Sequence, residues 1–160
     1  HLVDRLYALL PGVAEVTDLR AHHLPLSTRR PPPGIGRVLL AGDALSLINP
    51  FTGEGIFYAV LSGAVAGRAA ASGGPQAARR YAAALGRRLG THLRHSSTAA
   101  WLARHRSVVE AAVRAAARDR RVFDSVVELG LGDGRLDLRT LAHIARSLAR
   151  PRDAGGSAQS

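Results

Sequence analysis

The sequence predicts an α/β strand-turn-helix unit followed by a mainly α-helical region. Residues 37–41, Arg-Val-Leu-Leu-Ala, form an apolar run between turn residues, the composition of a strand buried on both faces, as in a parallel sheet. From Thr52 onward, apolar residues recur with a helical period. At 160 residues the chain suffices for one domain with its own core, and two independent domains are not expected.

The composition excludes several classes of protein. No apolar run approaches the roughly 20 residues that a membrane-spanning helix needs. The chain has no cysteine, so it has no disulfide, thiolate nucleophile or cysteine-bound metal. It begins at His1 without a secretory signal pattern. We therefore expect a cytoplasmic protein.

The positive charge is concentrated in one stretch. All 22 basic residues are arginine, against 12 acids, and no acid lies between Glu54 and Glu110. Such a stretch suits nucleic acid, an anionic membrane surface or a phosphorylated substrate, and it is equally typical of a solvated helix face. Because no nucleic-acid motif accompanies it, we favour the solvated face and do not expect nucleic acid as a partner. A basic helical module that binds nucleic acid or membrane remains the alternative of another class. The arginines of this stretch are Arg68, Arg79, Arg80, Arg87, Arg88, Arg94, Arg104 and Arg106.

Before residue 37 the pattern indicates short elements. A helix is expected over Leu2–Leu10, ended by Pro11 and Gly12, with its apolar face at Leu2, Leu6, Leu9 and Leu10. Strand segments are expected at Gly12–Val16 and His22–Leu26, and residues 29–34 should form a stiff proline loop.

After Thr52 we expect a succession of helices. The first should end near residues 72–75, Ser-Gly-Gly-Pro, and has its apolar face at Ile56, Val60, Leu61, Ala64 and Val65. The second carries an i, i+4 stripe at Tyr81, Leu85, Leu89 and Leu93. Core faces of shorter helices are expected at Trp101 and Leu102, at Val108, Val109, Ala112, Val113 and Ala116, at Val122, Phe123, Val126 and Val127, and at Leu138, Leu141, Ile144, Ala145 and Leu148.

Residues 37–67 carry the chemistry. Gly42 ends the predicted strand and lets a ligand approach the backbone, and Asp43 offers an acceptor-only carboxylate that suits the hydroxyls of a polyol. Residues 52–56, Thr-Gly-Glu-Gly-Ile, open the long helix, where free N–H groups and the helix dipole favour partial negative charge on a ligand. Glu54 in this first turn is assigned to the dipole rather than to proton transfer.

The same segment resembles the second flavin-binding motif of the geranylgeranyl reductase family, which has the aromatic-hydroxylase flavin fold. The family pattern runs Gly-Asp-Ala-Ala-Gly-x-x-Asn-Pro-x-x-Gly-Glu-Gly-Ile-x-x-Ala-x-x-Ser-Gly. Leu45 and Ser46 stand where that pattern has Ala and Gly. The matching positions are Gly42, Asp43, Ala44, Asn49, Pro50, Gly53, Glu54, Gly55, Ile56, Ala59, Ser62 and Gly63.

The resemblance implies an FAD site. Asp43, next to Gly42, would bind the ribityl hydroxyls, and backbone N–H groups around Gly53, Gly55 and Ile56 would face the N1/O2 edge of the isoalloxazine. Asn49 and Pro50 would line the ring. A helix N-terminus at that edge stabilises the negative charge of reduced flavin.

The resemblance covers part of a flavoprotein. The family begins with a Gly-x-Gly-x-x-Gly unit for the FAD pyrophosphate, and these 160 residues contain none. We therefore expect the C-terminal part of a longer protein whose N-terminal part completes the site. Residues 1–72 would end the FAD-binding domain, residues 73–150 form a helical region, and residues 151–160 a disordered tail.

The implied function is reduction of double bonds in an isoprenoid-type substrate, with NADPH as electron donor. The alternative is a flavin monooxygenase that acts on an aromatic or polyketide substrate. Helices between Gln76 and Arg121 would either cap a pocket for a long apolar substrate or form plain core, and their arginines suit peripheral membrane contact. No residue is assigned as a catalytic base. His92 and His95 are expected to be surface histidines rather than metal ligands, because no carboxylate is near in sequence.

Overall fold

The structure is a computed structural model that describes residues 2–12, 18, 20 and 22–149, and it is mostly helical. Two short strands and one 3-10 turn, Gly42–Leu45, separate the first helix from the other helices. The helical character predicted after Thr52 is confirmed. The helices are α1 (Leu2–Leu9), α2 (Ile56–Ala71), α3 (Ala77–Leu102), α4 (Arg106–Arg118), α5 (Arg120–Leu131) and α6 (Leu138–Ala149), and the strands are β1 (Gly34–Ile35) and β2 (Val38–Leu39).

The predicted buried strand is present but differs in kind. β2 has two residues and pairs antiparallel with β1, with Gly34 opposite Leu39, and Val38 is 64% exposed. The expectation of a strand buried on both faces of a parallel sheet is therefore wrong for the described residues. The reason is local. Gly36 adopts a φ of 59° and reverses the chain immediately after β1, so that β2 pairs with β1.

The N-terminal predictions have mixed outcomes. α1 lies where it was expected, but Leu9 and Leu10 are exposed, so the predicted apolar face is not packed at its end. Residues 22–26 form no strand apart from one parallel bridge between Leu26 and Ile48. Most of the predicted strand Gly12–Val16, like the tail 151–160, lies outside the described residues.

α2 buries only part of the predicted face: Val65 is buried and Leu61 packs against the core, as expected. Ile56 and Val60 are 76% and 69% exposed, whereas the buried residues are Tyr58, Ser62, Val65 and Ala69. This helix is apolar on two sides, so periodicity alone does not choose between them. The choice is made by α3 and the 3-10 turn, which pack against the Tyr58 side.

The core lies between α2, α3 and residues 42–55, which we call the motif loop. The predicted stripe on α3 is confirmed, because all four of its residues are at most 5% exposed. Leu45 and Leu47 of the motif loop complete this cluster together with Tyr58, Val65 and Ala69 of α2. The stripe residues are Tyr81, Leu85, Leu89 and Leu93. The helix α3 therefore fixes the position of the segment that carries the candidate site.

The helices α4, α5 and α6 pack mainly on one another. Several residues predicted as their core are partly exposed, including Val113 at 63% and Phe123 at 47%. The residues that are buried include Ala111, Ala115 and Val122. No described helix combines the length and the hydropathy that a membrane crossing requires.

Candidate functional site

The motif begins where Gly42 contacts α2. Gly42 has a φ of 54°, and a Cβ placed on it would lie 3.0 Å from Ala59 Cβ. Its N–H donates to Ser62 Oγ at 2.9 Å, and this hydroxyl donates to Tyr58 O. The close contact with α2 and the left-handed backbone both require glycine at position 42, whether or not a ligand binds there.

Ser46 ends the 3-10 turn in a conformation that glycine favours. Its φ and ψ are both 53°, in the left-handed region, and its N–H donates to Asp43 O at 2.9 Å. The family pattern has glycine at this position. The backbone at position 46 therefore suits glycine, the residue of the family pattern, although this chain has serine there.

Asp43 and the start of α2 lie at one open groove, which we call the motif groove. Its volume is about 640 Å³. Asp43 is exposed, and its carboxylate has no hydrogen bond or ion pair to another described residue. A methyl group placed on Gly55 would lie 3.7 Å from Asp43 Oδ1, so the carboxylate and this glycine are neighbours. The lining residues are Leu24, Ala41, Gly42, Asp43, Ala44, Ile48, Gly53, Gly55, Ile56 and Ala59.

Only part of the predicted set of N–H donors is free. Gly53 N–H donates to Asn49 O at 2.9 Å, and Ile56 N–H donates to Glu54 Oε1 at 2.7 Å. Gly55 N–H makes no hydrogen bond to a described residue. The Glu54 carboxylate also accepts from Phe57 N–H at 3.1 Å, so it caps α2, as its assignment to the helix dipole implies.

Asn49 and Pro50 do not line the motif groove. The Asn49 side chain has no exposed surface, and its Nδ2 lies within hydrogen-bond distance of Tyr58 Oη and Leu129 O, both at 2.9 Å, and of Gly130 O at 3.2 Å. Its Oδ1 accepts from Phe51 N–H. The amide predicted to face the ring instead joins the motif loop to the end of α5.

A buried polar cluster, which the sequence did not predict, adjoins Asn49. His92 is fully buried, so the expectation of a surface histidine is wrong. Its Nδ1 lies 2.6 Å from Gly134 O and therefore carries a proton, because a carbonyl only accepts. Its Nε2 lies 2.7 Å from Tyr58 Oη and 3.1 Å from Ser96 Oγ. A sequence signal existed, since residues 92 and 96 continue the buried stripe of α3 at helical spacing.

Tyr58 contributes a phenol with a shifted pKa to this cluster. Burial raises the pKa of Tyr58 to about 12, against the opposing hydrogen bond from Asn49 and with smaller additions from the charges of Glu54 and Asp133. Its hydroxyl also lies 2.8 Å from Gly132 O. The hydroxyl is therefore held neutral as a structural link and is not a proton acceptor near neutral pH.

An apolar pocket opens between α3 and the three last helices. Its volume is about 530 Å³, and it is lined by aliphatic and phenyl groups. Phe51 forms part of its wall, two residues before Gly53 of the motif groove. The other lining residues are Ala99, Leu102, Ala103, Val108, Val109, Ala112, Val113, Ala116, Ala117, Phe123, Val126, Leu129, Leu136, Leu141 and Ile144.

The remaining histidine of the pair also has a structural contact. His95 Nδ1 accepts from Leu136 N–H at 3.1 Å. Within residues 2–12, 18, 20 and 22–149, no group of three or more His, Asp or Glu side chains is arranged to hold a metal ion.

Comparison of the chain with protein-family models, with curated proteins and with solved structures found no match. The interpretation of the site therefore depends on residues 37–67 and on the geometry described above.

Proposed function

We propose that the chain is the C-terminal part of an FAD-dependent oxidoreductase and that the motif groove holds the ribityl and ring end of FAD. One observation carries this proposal: the free carboxylate of Asp43 lies beside Gly55 in an open groove. Had these residues been on separate faces, or buried without a cleft, the motif resemblance would have no site.

The groups in the groove fit this cofactor. A carboxylate only accepts hydrogen bonds, so Asp43 suits a chain of hydroxyls and disfavours a phosphate. Gly55 offers a free N–H and no side chain, which lets a flat ring approach the start of α2. The left-handed Ser46 adds support, because the family pattern has glycine there. FAD bound in this groove supplies hydride transfer.

The lining of the apolar pocket favours an apolar substrate. Binding pockets commonly carry a few polar groups that orient the ligand, but this one offers almost none. A hydrocarbon chain suits such a lining, and Phe51 connects the pocket wall to the motif loop. We therefore favour reduction of double bonds in an isoprenoid-type substrate, with NADPH as donor, over hydroxylation of an aromatic or polyketide substrate. We place the protein in the cytoplasm, with its arginines suited to contact with an anionic membrane.

The test is made on the full-length protein, which on this proposal would carry the pyrophosphate unit that the resemblance implies. Gly55→Val fills the motif groove and should weaken FAD binding, measured by quenching of flavin fluorescence on titration. Gly67→Val, on an exposed part of α2 outside the groove, is the control. Unchanged FAD binding by Gly55→Val would contradict the site. NADPH-dependent oxygen uptake coupled to a hydroxylated product would contradict the reductase activity while leaving the FAD site in place.

A further inference from the structure

A second pocket lies against the motif loop, on another side from the motif groove. Leu45 and Leu47 line it, whereas Asp43, Ala44 and Ile48 line the motif groove. It has a volume of about 730 Å³ and lies between residues 27–33 and α3. We call it the arginine pocket, and its polar lining residues are Ser27, Thr28, Arg30, Arg94, Ser97 and Thr98.

Ser27 carries an unpaired buried hydroxyl at this pocket. The residue is 5% exposed, and its Oγ has no hydrogen-bond partner among the described residues. Buried hydroxyls are nearly always paired, because removing them from water without a new bond is costly. No other buried side-chain oxygen or nitrogen in the described part of the chain is left in this state. The oxygen itself has less than 1 Å² exposed, so an acceptor atom of a ligand would satisfy it once rotation of the Ser27 side chain brings the hydroxyl to the pocket surface.

The charge of the pocket is positive and uncompensated. No Asp or Glu lines it, and Arg30 makes no hydrogen bond or ion pair to a described residue. Among the described residues, Arg94 donates only to Thr91 Oγ1, at a long 3.3 Å. Arg30 is exposed as a whole residue, and partial desolvation of its guanidinium lowers its pKa. A guanidinium that has lost part of its hydration gains more from a bound anion than a fully hydrated one does. Guanidinium groups with hydroxyl donors match the oxygens of a phosphate.

The α3 wall leaves room for the body of a ligand. Gly86 and Gly90 lie one helical turn apart and both line the pocket, and a methyl group on either would meet nothing within 4 Å. Glycine inside a helix is unfavourable relative to alanine, so this bare surface is not explained by helix propensity. Leu85 and Leu93 supply apolar surface next to it.

We propose that the arginine pocket binds an organic phosphate, with the phosphate between Arg30 and Arg94 beside Ser27 and a flat apolar body over Gly86 and Gly90. The site is independent of the flavin proposal, because it shares no lining residue with the motif groove.

Phenyl phosphate is the probe, and binding is measured by isothermal titration calorimetry. It should bind more tightly than inorganic phosphate and more tightly than benzoate. Arg30→Gln and Arg94→Gln should each weaken binding by about tenfold or more, as expected for loss of a charged hydrogen bond. Gly90→Val should weaken phenyl phosphate and leave inorganic phosphate unchanged. Arg79→Gln and Arg104→Gln remove equal charge at exposed positions outside the pocket and should leave binding unchanged.

Ser27→Ala separates a ligand site from a packing role. It removes an unpaired hydroxyl, so the free protein should unfold at an equal or higher denaturant concentration while phenyl phosphate binds more weakly. The proposal is overturned if phenyl phosphate does not bind, if benzoate binds equally well, or if the two control variants lose as much affinity as the pocket variants. It is also overturned if Ser27→Ala leaves affinity unchanged.

Discussion

The side-chain amide of Asn49 donates to the hydroxyl of Tyr58 at 2.9 Å, and neither side chain has exposed surface. Asn49 therefore holds the motif loop to α2, while its contacts with Leu129 O and Gly130 O hold the loop to α5. Asn49, which the motif resemblance assigns to the flavin ring, therefore has a structural role in this chain: it joins the motif loop to two helices.

Replacing Asn49 should therefore destabilise the fold. Asn49→Ala leaves Phe51 N–H and the carbonyl of Leu129 without their partner, whereas Gly130 O keeps the hydroxyl of Thr52. We expect a loss of about 2–4 kcal/mol in the free energy of unfolding. Denaturant unfolding measures it, with the exposed substitution Gln76→Ala as control. A loss as small as that of the control would show that water replaces the amide.

The raised pKa of Tyr58 predicts alkaline instability. The folded state holds the phenol neutral to about pH 12, whereas the unfolded chain ionises near pH 10.0, so the unfolded state binds fewer protons between these values. The contribution of Tyr58 to stability should be constant below about pH 10 and fall between about pH 10 and 12. Unfolding at a series of pH values tests this, and Tyr58→Phe should fall less steeply over that range. Equal slopes for both proteins would contradict the shift.

The left-handed Ser46 predicts a stabilising substitution. Ser46→Gly relieves a backbone conformation that costs an L-residue about 1–2 kcal/mol, less the entropy that glycine loses on folding, for a net gain of about 0.5–1 kcal/mol. Ser72→Gly is the matched control, because Ser72 has a φ of −72° and should gain nothing. Thermal or denaturant unfolding distinguishes the two. A loss of stability in Ser46→Gly would contradict the assigned backbone.

The cap formed by Glu54 predicts a change in the potential of bound FAD. The carboxylate accepts from Ile56 and Phe57 N–H and so offsets the positive end of α2 beside the motif groove. Glu54→Gln should raise the reduction potential of bound FAD by on the order of 10–20 mV, because a negative charge is removed near the reduced ring. Spectroelectrochemical titration measures it. A lower potential in Glu54→Gln would contradict the position of the ring.

The helical part of the fold follows well from sequence periodicity. The stripe from Tyr81 to Leu93 is buried as predicted, because it is the one continuous apolar face of α3. Periodicity was only partly right for α2, where Ile56 and Val65 lie on different apolar sides and only packing decides between them. It also failed for β2, because the hairpin is set by the φ of Gly36 rather than by the apolar run.

The candidate site was predictable in its backbone but not in its side-chain contacts. The sequence places Asp43 and Gly55 in one motif, and the structure places both at one groove. The sequence does not show that the N–H of Ile56 is occupied by Glu54 or that Asn49 points inward, as the structure does. The direction of the Asn49 side chain depends on α5, which is about 80 residues away along the chain. The contact between Glu54 and Ile56 is local and depends on the side-chain conformation of Glu54.

The affinity of the full-length protein for FAD in the Asp43→Ala variant is the most direct test of the flavin proposal. Loss of the ribityl acceptor should weaken FAD binding about tenfold to a hundredfold, with Asp43→Asn intermediate and Asp124→Ala, an exposed aspartate on α5, unchanged. If Asp43→Ala retains FAD as tightly as Asp124→Ala does, the carboxylate does not bind the cofactor and the proposed site is wrong.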